Sequence, residues 1–539
     1  MTTSPSRRHR PALRVAVGLG LTFSLGVAAL TGCSAIADAA TDSTPSDGTA
    51  TTASTASKSE SVSAVVEANA DQTVVNDDEW SADDAQDIAL SGSTAETDAS
   101  GVTVADGVLT ITEAGVYRLS GEFSGSVEVD AADDAQVVLI LDGVTIEAED
   151  APAIQVISAD DVALFLEDGS TNAATSTGSY DEEAEANAAV FADTDLTISG
   201  NGSLTVDGSA NDGITSKDDL VVLSGTIDVT AADDGLRGKD SLTVRGGEIT
   251  VDAGGDGLVS DQDDDDTEGW VLVEGGTLDV TAGSDGIDGF TDVIITDGDI
   301  AIAADEGIEG GTVAIGGGRI DIVASDDGIN GSAGTPDSTT TSAEDSTADE
   351  DSTADEDATA DREFPGGEIP EGGDRPDMGG GMQDTGEWVL IAGGEITIDA
   401  AGDGLDSNGS LEITGGTIVV GGPTNSGNGA LDANGEITVS GGTLLALDAG
   451  GMSETPSTDS AQAWVAASAS GSAGATIEIV AADGTTLYSD EAAKDFGAVV
   501  FSSADVAAGE SYTITVDGSE AATVTTGEAL AGGMGGPRG

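Results

Sequence analysis

A short unit, Asp-Gly followed by an aliphatic residue, recurs along this chain at a nearly fixed interval. It stands at Asp212-Gly213-Ile214, Asp234-Gly235-Leu236, Asp256-Gly257-Leu258, Asp285-Gly286-Ile287, Glu306-Gly307-Ile308, Asp327-Gly328-Ile329 and Asp403-Gly404-Leu405, with a weaker copy at Asn428-Gly429-Ala430. Four of the first five steps, from Asp212 to Asp256 and from Asp285 to Asp327, are of nearly equal length, and the others are lengthened by insertions. The base period is about 21–22 residues, within the range that marks a solenoid, in which each repeat buries its apolar face only against its neighbours.

Each period holds three short apolar pieces. One reads Gly235-Leu236, then Leu242-Thr243-Val244, a Gly246-Gly247 turn, and Ile249-Thr250-Val251. The next strands along are Val271-Leu272-Val273 and Leu278-Asp279-Val280. No stretch here shows a helical period, and there are too few hairpin turns for an antiparallel meander. Strands wound in one direction pair with their counterparts one coil on, about 4.8 Å away. Inward side chains alternate with outward ones, and Gly pairs permit corners with positive φ. The expected fold is all-β: a right-handed parallel β-helix with coils of about 21–22 residues over 76–450, plus a small C-terminal β cap. That cap is expected over 465–526, from Ile477-Glu478-Ile479, Val499-Val500-Phe501 and Tyr512-Thr513-Ile514-Thr515-Val516, with a Gly-rich tail at 527–539.

Two insertions share an address. The acidic run from Asp261 to Glu268 precedes Trp270, and a longer acidic insertion, 334–386, precedes Trp388. Both tryptophans open a Trp-Val-Leu run, so both insertions should leave the same corner. Composition predicts that the long one is disordered.

The N-terminus reads as an export signal over residues 1–32. Arg7, Arg8, Arg10 and Arg14 precede an apolar stretch from Val15 to Leu30. Leu30-Thr31-Gly32-Cys33 then resembles a bacterial lipobox. Cys33, the sole cysteine, is expected to be lipidated and to hold the chain on the extracellular face of the cytoplasmic membrane. Residues 33–75, rich in Ser, Thr and Ala, read as a disordered tether. Processing would discard His9, the single histidine, together with those four arginines, and so take the formal charge from −87 to −91. Histidine-based acid–base catalysis, Ser-His-Asp and Cys-His nucleophiles and His-ligated zinc are thereby excluded. Such a charge also argues against nucleic acid and favours partners that are cations or are reached through them. A monomer is expected.

Stacking matched positions of successive coils puts Asp212, Asp234 and Asp256 in a line at about 5 Å spacing. Asp218, Asp219, Asp233, Asp240, Asp261 and Asp288 add carboxylates nearby. Neighbours at that spacing repel by about 1–4 kcal/mol per pair, so the line calls for a counterion. Oxygen-only ligands on turns suit Ca2+; the other reading is that these are solvated turn residues. Lys217 and Lys239, one period apart, should stack beside the acidic turns, with Arg237 near. These three could hold a uronate carboxylate, or simply pair with Asp218 and Asp240. Calcium beside a Lys or Arg base is also the equipment of a polysaccharide lyase, but a lyase Lys must have a depressed pKa, and surrounding carboxylates would raise it.

Several segments together resemble a family of bacterial carbohydrate-binding right-handed β-helix proteins, surface proteins that bind calcium and polygalacturonate. They are Gly115-Val116-Tyr117-Arg118-Leu119-Ser120-Gly121, Leu139-Ile140-Leu141-Asp142-Gly143-Val144, Asn187-Ala188-Ala189-Val190-Phe191, and the runs from Asn211 to Leu220 and Ala232 to Asp240. The resemblance spans roughly residues 100–450. It implies a fold similar to calcium-dependent pectate lyases, bound Ca2+, and binding of polygalacturonate or a related plant cell-wall polysaccharide without established catalysis. Carried over, it implies Asp212, Asp218, Asp234, Asp240 and Asp256 as calcium ligands. Asp261 and Asp285, from the same acidic turns, complete the candidate metal set. The chain departs from the family in its long acidic insertion and its few aromatics, which leave no flat platform for cellulose. Three functions remain open: a non-catalytic binder of acidic polysaccharide, a calcium-dependent lyase, and a structural spacer or calcium store.

Overall fold

The structure, a computed structural model, describes residues 61–180, 184–332 and 384–530. The expected export signal, Cys33, residues 33–60 of the tether, residues 334–383 of the acidic insertion and the tail from 531 lie outside the described residues.

The described chain is almost entirely β, and its main sheet is dominated by parallel pairs. Each repeat contributes three strands, and each strand pairs with the one that follows it by a full repeat. Thr226–Ala231 pairs in parallel with Glu248–Asp252, which pairs with Thr277–Thr281, and so on to Thr443–Asp448. Alternation within these strands decides which side chains enter the core. Thr226, Asp228 and Thr230 are exposed, while Ile227 and Val229 are buried. Ile227, Ile249, Leu278, Ile300, Ile320 and Ile396 follow one another across successive pairings, none more than 1% exposed. Burying each such side chain is worth about 1.5–3 kcal/mol. The other two strand families carry matching interior rows, Leu220-Leu242-Val271-Val293 and Ile214-Leu236-Leu258-Ile287.

Glycine serves two different purposes in this stack. At the Gly-Gly corner the second residue adopts positive φ, +104° at Gly247 and +96° at Gly276, where an L side chain is strained. The glycine of each Asp-Gly unit has another reason. A Cβ on Gly257 would lie 2.3 Å from Val280 Cγ1 and 2.6 Å from the Gly286 carbonyl oxygen, inside the core. The Asp-Gly unit is therefore a packing constraint as well as a turn.

Residues 61–75 do not follow the expectation of a disordered tether. Val62–Ala68 forms a helix whose cap residue, Ser61, accepts the Ala64 N–H at 3.3 Å. Val62 and Val65 pack on an apolar outer face made by Trp270, Leu272, Ile294, Ala314, Trp388 and Leu390. The chain then runs back along the stack. The Ala70 N–H donates to the Thr267 carbonyl (2.8 Å), the Thr73 N–H to Asp219 Oδ2 (2.7 Å), and the Val75 N–H to Thr197 Oγ1 (3.0 Å). Trp80 meets Phe165 edge-on with centroids 4.9 Å apart. The tether is ordered here because outward-facing apolar residues, which water would otherwise cover, provide it with a docking surface. Trp270 and Trp388 share one column of the register, through Asp292 and Thr312, as their matching sequence contexts predict.

At the far end the parallel pairing stops. Thr443–Asp448 pairs antiparallel with Ala498–Ser502, which also takes Trp464–Ala467. Thr476–Ala481, Thr486–Glu491, Ser511–Val516 and Ser519–Thr525 form a separate four-stranded antiparallel sheet. The strand around Val499-Val500-Phe501 thus belongs to the main sheet rather than to a self-contained module. The Lys494 ammonium ties the two together, pairing with Asp399 and donating to the carbonyls of Ala400 and Gly421.

Candidate functional site

The strand family that begins each repeat carries two outward columns. The first is the acidic residue of the Asp-Gly unit: Asp212, Asp234, Asp256, Asp285, Glu306, Asp327 and Asp403. The second lies three positions on in each repeat: Thr215, Arg237, Val259, Asp288, Glu309, Asn330 and Asp406. Between them sit the buried glycine and aliphatic residue, so the two columns flank the same buried step of each coil.

Hydrogen bonds run from coil to coil along the first column. The Asp256 N–H donates to Asp234 Oδ1 (3.0 Å), and the Asp285 N–H to Asp256 Oδ1 (2.9 Å). The Asp403 N–H reaches Asp327 Oδ1 and the Gly429 N–H reaches Asp403 Oδ1, both at 2.5 Å. Asp212, at the head, accepts from Asn211 Nδ2 (2.8 Å) and Thr215 Oγ1 (3.1 Å). The carboxylates thereby act as backbone acceptors that hold register, and they are fixed close together.

That closeness has an electrostatic cost. Burial, then Asp212 and Asp256, pushes the Asp234 carboxyl up to about 8. Burial, then Asp256, Glu309 and Glu306, pushes Asp285 up to about 8. Asp288 is raised well above the ordinary carboxylate range by burial, then by Asp256 and Asp285. Asp327 and Asp406 rise to about 7 and Asp403 to about 6, each chiefly through burial. Such groups must take up protons or be met by cations.

Two triads have the proximity to share one cation: Asp256, Asp285 and Asp288, and Asp285, Glu306 and Glu309. In each, the oxygens lie within 4.8 Å of one another. Asp285 belongs to both. One coil further, Asn330 donates from Nδ2 to Glu306 Oε2 (3.1 Å), while its Oδ1 is buried without a hydrogen-bond partner. The carboxylates of the two triads make an all-oxygen donor set, which fits a hard divalent cation. Among the described residues, no Lys or Arg forms an ion pair with Asp285, Asp288, Glu306 or Glu309.

The candidate residues divide into two groups. Asp212, Asp234, Asp256 and Asp285 share the ladder. Asp261 is paired instead with Arg237, which meets both of its oxygens: Nε donates to Oδ1 at 3.2 Å and Nη2 to Oδ2. Arg237 is correspondingly engaged within the protein. Asp218 and Asp240 lie around the corner with Asp195 and Asp219. There Asp240 Oδ1 accepts from Gln262 Nε2 (2.8 Å), and burial, then Asp195 and Asp240, raises Asp218 to about 6. Lys217 pairs with Asp193 (3.6 Å) and Glu185 (3.8 Å), not with Asp218. Lys239 has no ion pair among the described residues. Glu309 was not among the sequence candidates, nor was the pairing of Asp288 with Asp285. The signal that finds both is the fourth residue of each repeat, read as a column of its own.

Residues 105–342 and 380–518 match the family described as carbohydrate-binding domain-containing protein. A relative from Acetivibrio thermocellus that bears this description is 35% identical over 136 residues, which is 24% of this chain and 48% of the relative. The chain thus spans about half the length of the curated relative it matches. A solved structure, the polysaccharide lyase-like protein from C. thermocellum as a gadolinium derivative, is 32% identical. That likeness covers 44% of this chain and 96% of the other, with a TM-score of 0.41.

Proposed function

The chain belongs to the carbohydrate-binding domain-containing protein family, and from that premise we propose that it binds an acidic polysaccharide through calcium held on its carboxylate ladder. The observation that carries the calcium reading is the pair of triads sharing Asp285, with the unpartnered Asn330 Oδ1 one coil away and no basic residue paired to them among the described residues. Asp256, Asp285, Asp288, Glu306 and Glu309 would hold the ion. A bound Ca2+ offers open coordination positions that a uronate carboxylate can fill. We read the body as a right-handed parallel β-helix, which gives the triads a rigid, linear mounting suited to an extended glycan.

The reading is of a binding protein rather than an enzyme. β-Elimination needs an unprotonated base, such as a neutral Lys or Arg, beside the metal. Lys217 is held by two carboxylates, and the ion pairs made by the described Lys and Arg side chains do not include the triads. Calorimetry with polygalacturonate tests the proposal. Binding is expected in calcium and absent in EGTA; binding that persists in EGTA, or no binding in either buffer, overturns it. Asp288→Asn should weaken calcium binding by about tenfold or more, since ligand charge count sets the affinity of such sites. Release of unsaturated uronate products would establish the lyase alternative instead.

Surface anchoring completes the reading. Leu30-Thr31-Gly32-Cys33 has the residues of a lipidation site, and the described residues begin well beyond it at Ser61. Mass spectrometry of the mature chain from its native host should find a diacylglyceryl group on Cys33. An unmodified Cys33, or cleavage beyond it, removes the anchor from the proposal.

A further inference from the structure

The two columns of the ladder do not carry the same charge along their length. In the coils of Asp285 and Glu306 both columns are acidic, pairing Asp285 with Asp288 and Glu306 with Glu309. Two coils before Asp288, at the same register position, stands Arg237, and the coil between them has Val259. Arg237 keeps 29% of its side-chain surface exposed and grips Asp261 through two nitrogens. Its charge also acts on Asp212, Asp234 and Asp256. A guanidinium therefore sits among four carboxylates, at a register position that later coils fill with Asp288, Glu309, Asn330 and Asp406 and never with a cation. Val259, 3% exposed, supplies no donor atom to the second column between them.

We propose that Arg237 is a built-in cation that substitutes for a metal ion in the first part of the ladder, around Asp212 and Asp234, confining calcium to the triads that begin at Asp256. The planar guanidinium is suited to this, because its fork of donors matches a carboxylate edge and it stays charged at any physiological pH. Arg237 is thus a positioning residue for the calcium array: it sets where ions stop rather than ligating glycan. The inference rests on the calcium reading above.

Counting ions tests it. Purified full-length chain, its calcium removed with EGTA and then restored, is analysed for bound Ca2+ by titration calorimetry and by elemental analysis after desalting. Arg237→Gln should bind one more Ca2+ per chain than the unsubstituted protein, and Arg237→Lys the same number. In EGTA, Arg237→Gln should melt below the unsubstituted protein, and calcium should restore most of the difference. An unchanged count in Arg237→Gln, with ions present in the unsubstituted protein, sinks this inference alone. No calcium in either protein sinks the calcium reading itself. Should Arg237→Gln fail to fold, anomalous diffraction from calcium-soaked crystals of the unsubstituted chain decides. Ions beside Asp285 and Glu309 with none between Asp212 and Asp234 support the proposal, and an ion between Asp212 and Asp234 overturns it.

Discussion

Asp234 and Asp285 have carboxyl groups pushed to about 8, and Asp327 to about 7, chiefly by burial and then by neighbouring acids. In the unfolded chain the same groups titrate near their ordinary value, about 3.9. Between these limits the folded state binds more protons than the unfolded state. Stability must then fall as pH rises across that window, the reverse of the usual behaviour of a salt-bridged aspartate. With EGTA present, the melting temperature should fall steadily from about pH 5 to about pH 9. Calcium should flatten or reverse that trend by meeting the ionised carboxylates directly. Scanning calorimetry at several pH values checks this, and a calcium-free melting temperature that rises with pH would contradict it. At this scale the sequence was a partial guide. It placed Asp212, Asp234 and Asp256 on one line, because register follows from spacing, and counted Asp285 among the same acidic turns. It did not reveal that Asp261 and Arg237 grip each other, because spacing does not say which carboxylate a long side chain reaches. It gathered Asp218 and Asp240 with the ladder, although the corner after Ser216 turns them onto another face.

The helix Val62–Ala68 is too short to be stable alone in water. It persists because Val62 and Val65 cover the outer faces of Trp270 and Trp388, which are 3% and 4% exposed. Trp388→Ala should remove most of that contact, a loss of about 3–5 kcal/mol for a buried tryptophan. The effect should be local. Hydrogen exchange should show residues 62–68 losing protection while the interior strands around Ile320 and Ile396 keep theirs. Unchanged protection at 62–68 would show that the strap is held elsewhere. The strap was illegible in the sequence for a physical reason. Its composition is that of a linker, its apolar stripe is only Val62, Val65 and Val66, and its partner surface is assembled from distant coils, those of Trp270 through Leu390. The strands were legible because each announces itself through local alternation, as in Thr226–Ala231.

For the whole molecule, repetition does most of the specifying. One short unit, copied with small changes, fixes strand order, parallel pairing and the interior rows from Ile227 onward, because each copy need only fit its neighbours. The long insertion before Trp388 separates Asp327 from Asp403 in the chain without disturbing the register, since Ile329 still pairs with Leu405 and Asn330 with Asp406. The sequence alone therefore determined the all-β class, the position of the acidic column and the absence of histidine chemistry beyond His9. These follow from period, alternation and composition, which are local or strictly periodic properties. Only the tertiary structure decided which acids share a cation-sized space, that Arg237 lies among them, and that residues 61–75 lie along the stack. Those outcomes depend on side-chain reach, on the turn at each corner and on contacts between distant segments, none of which a period encodes.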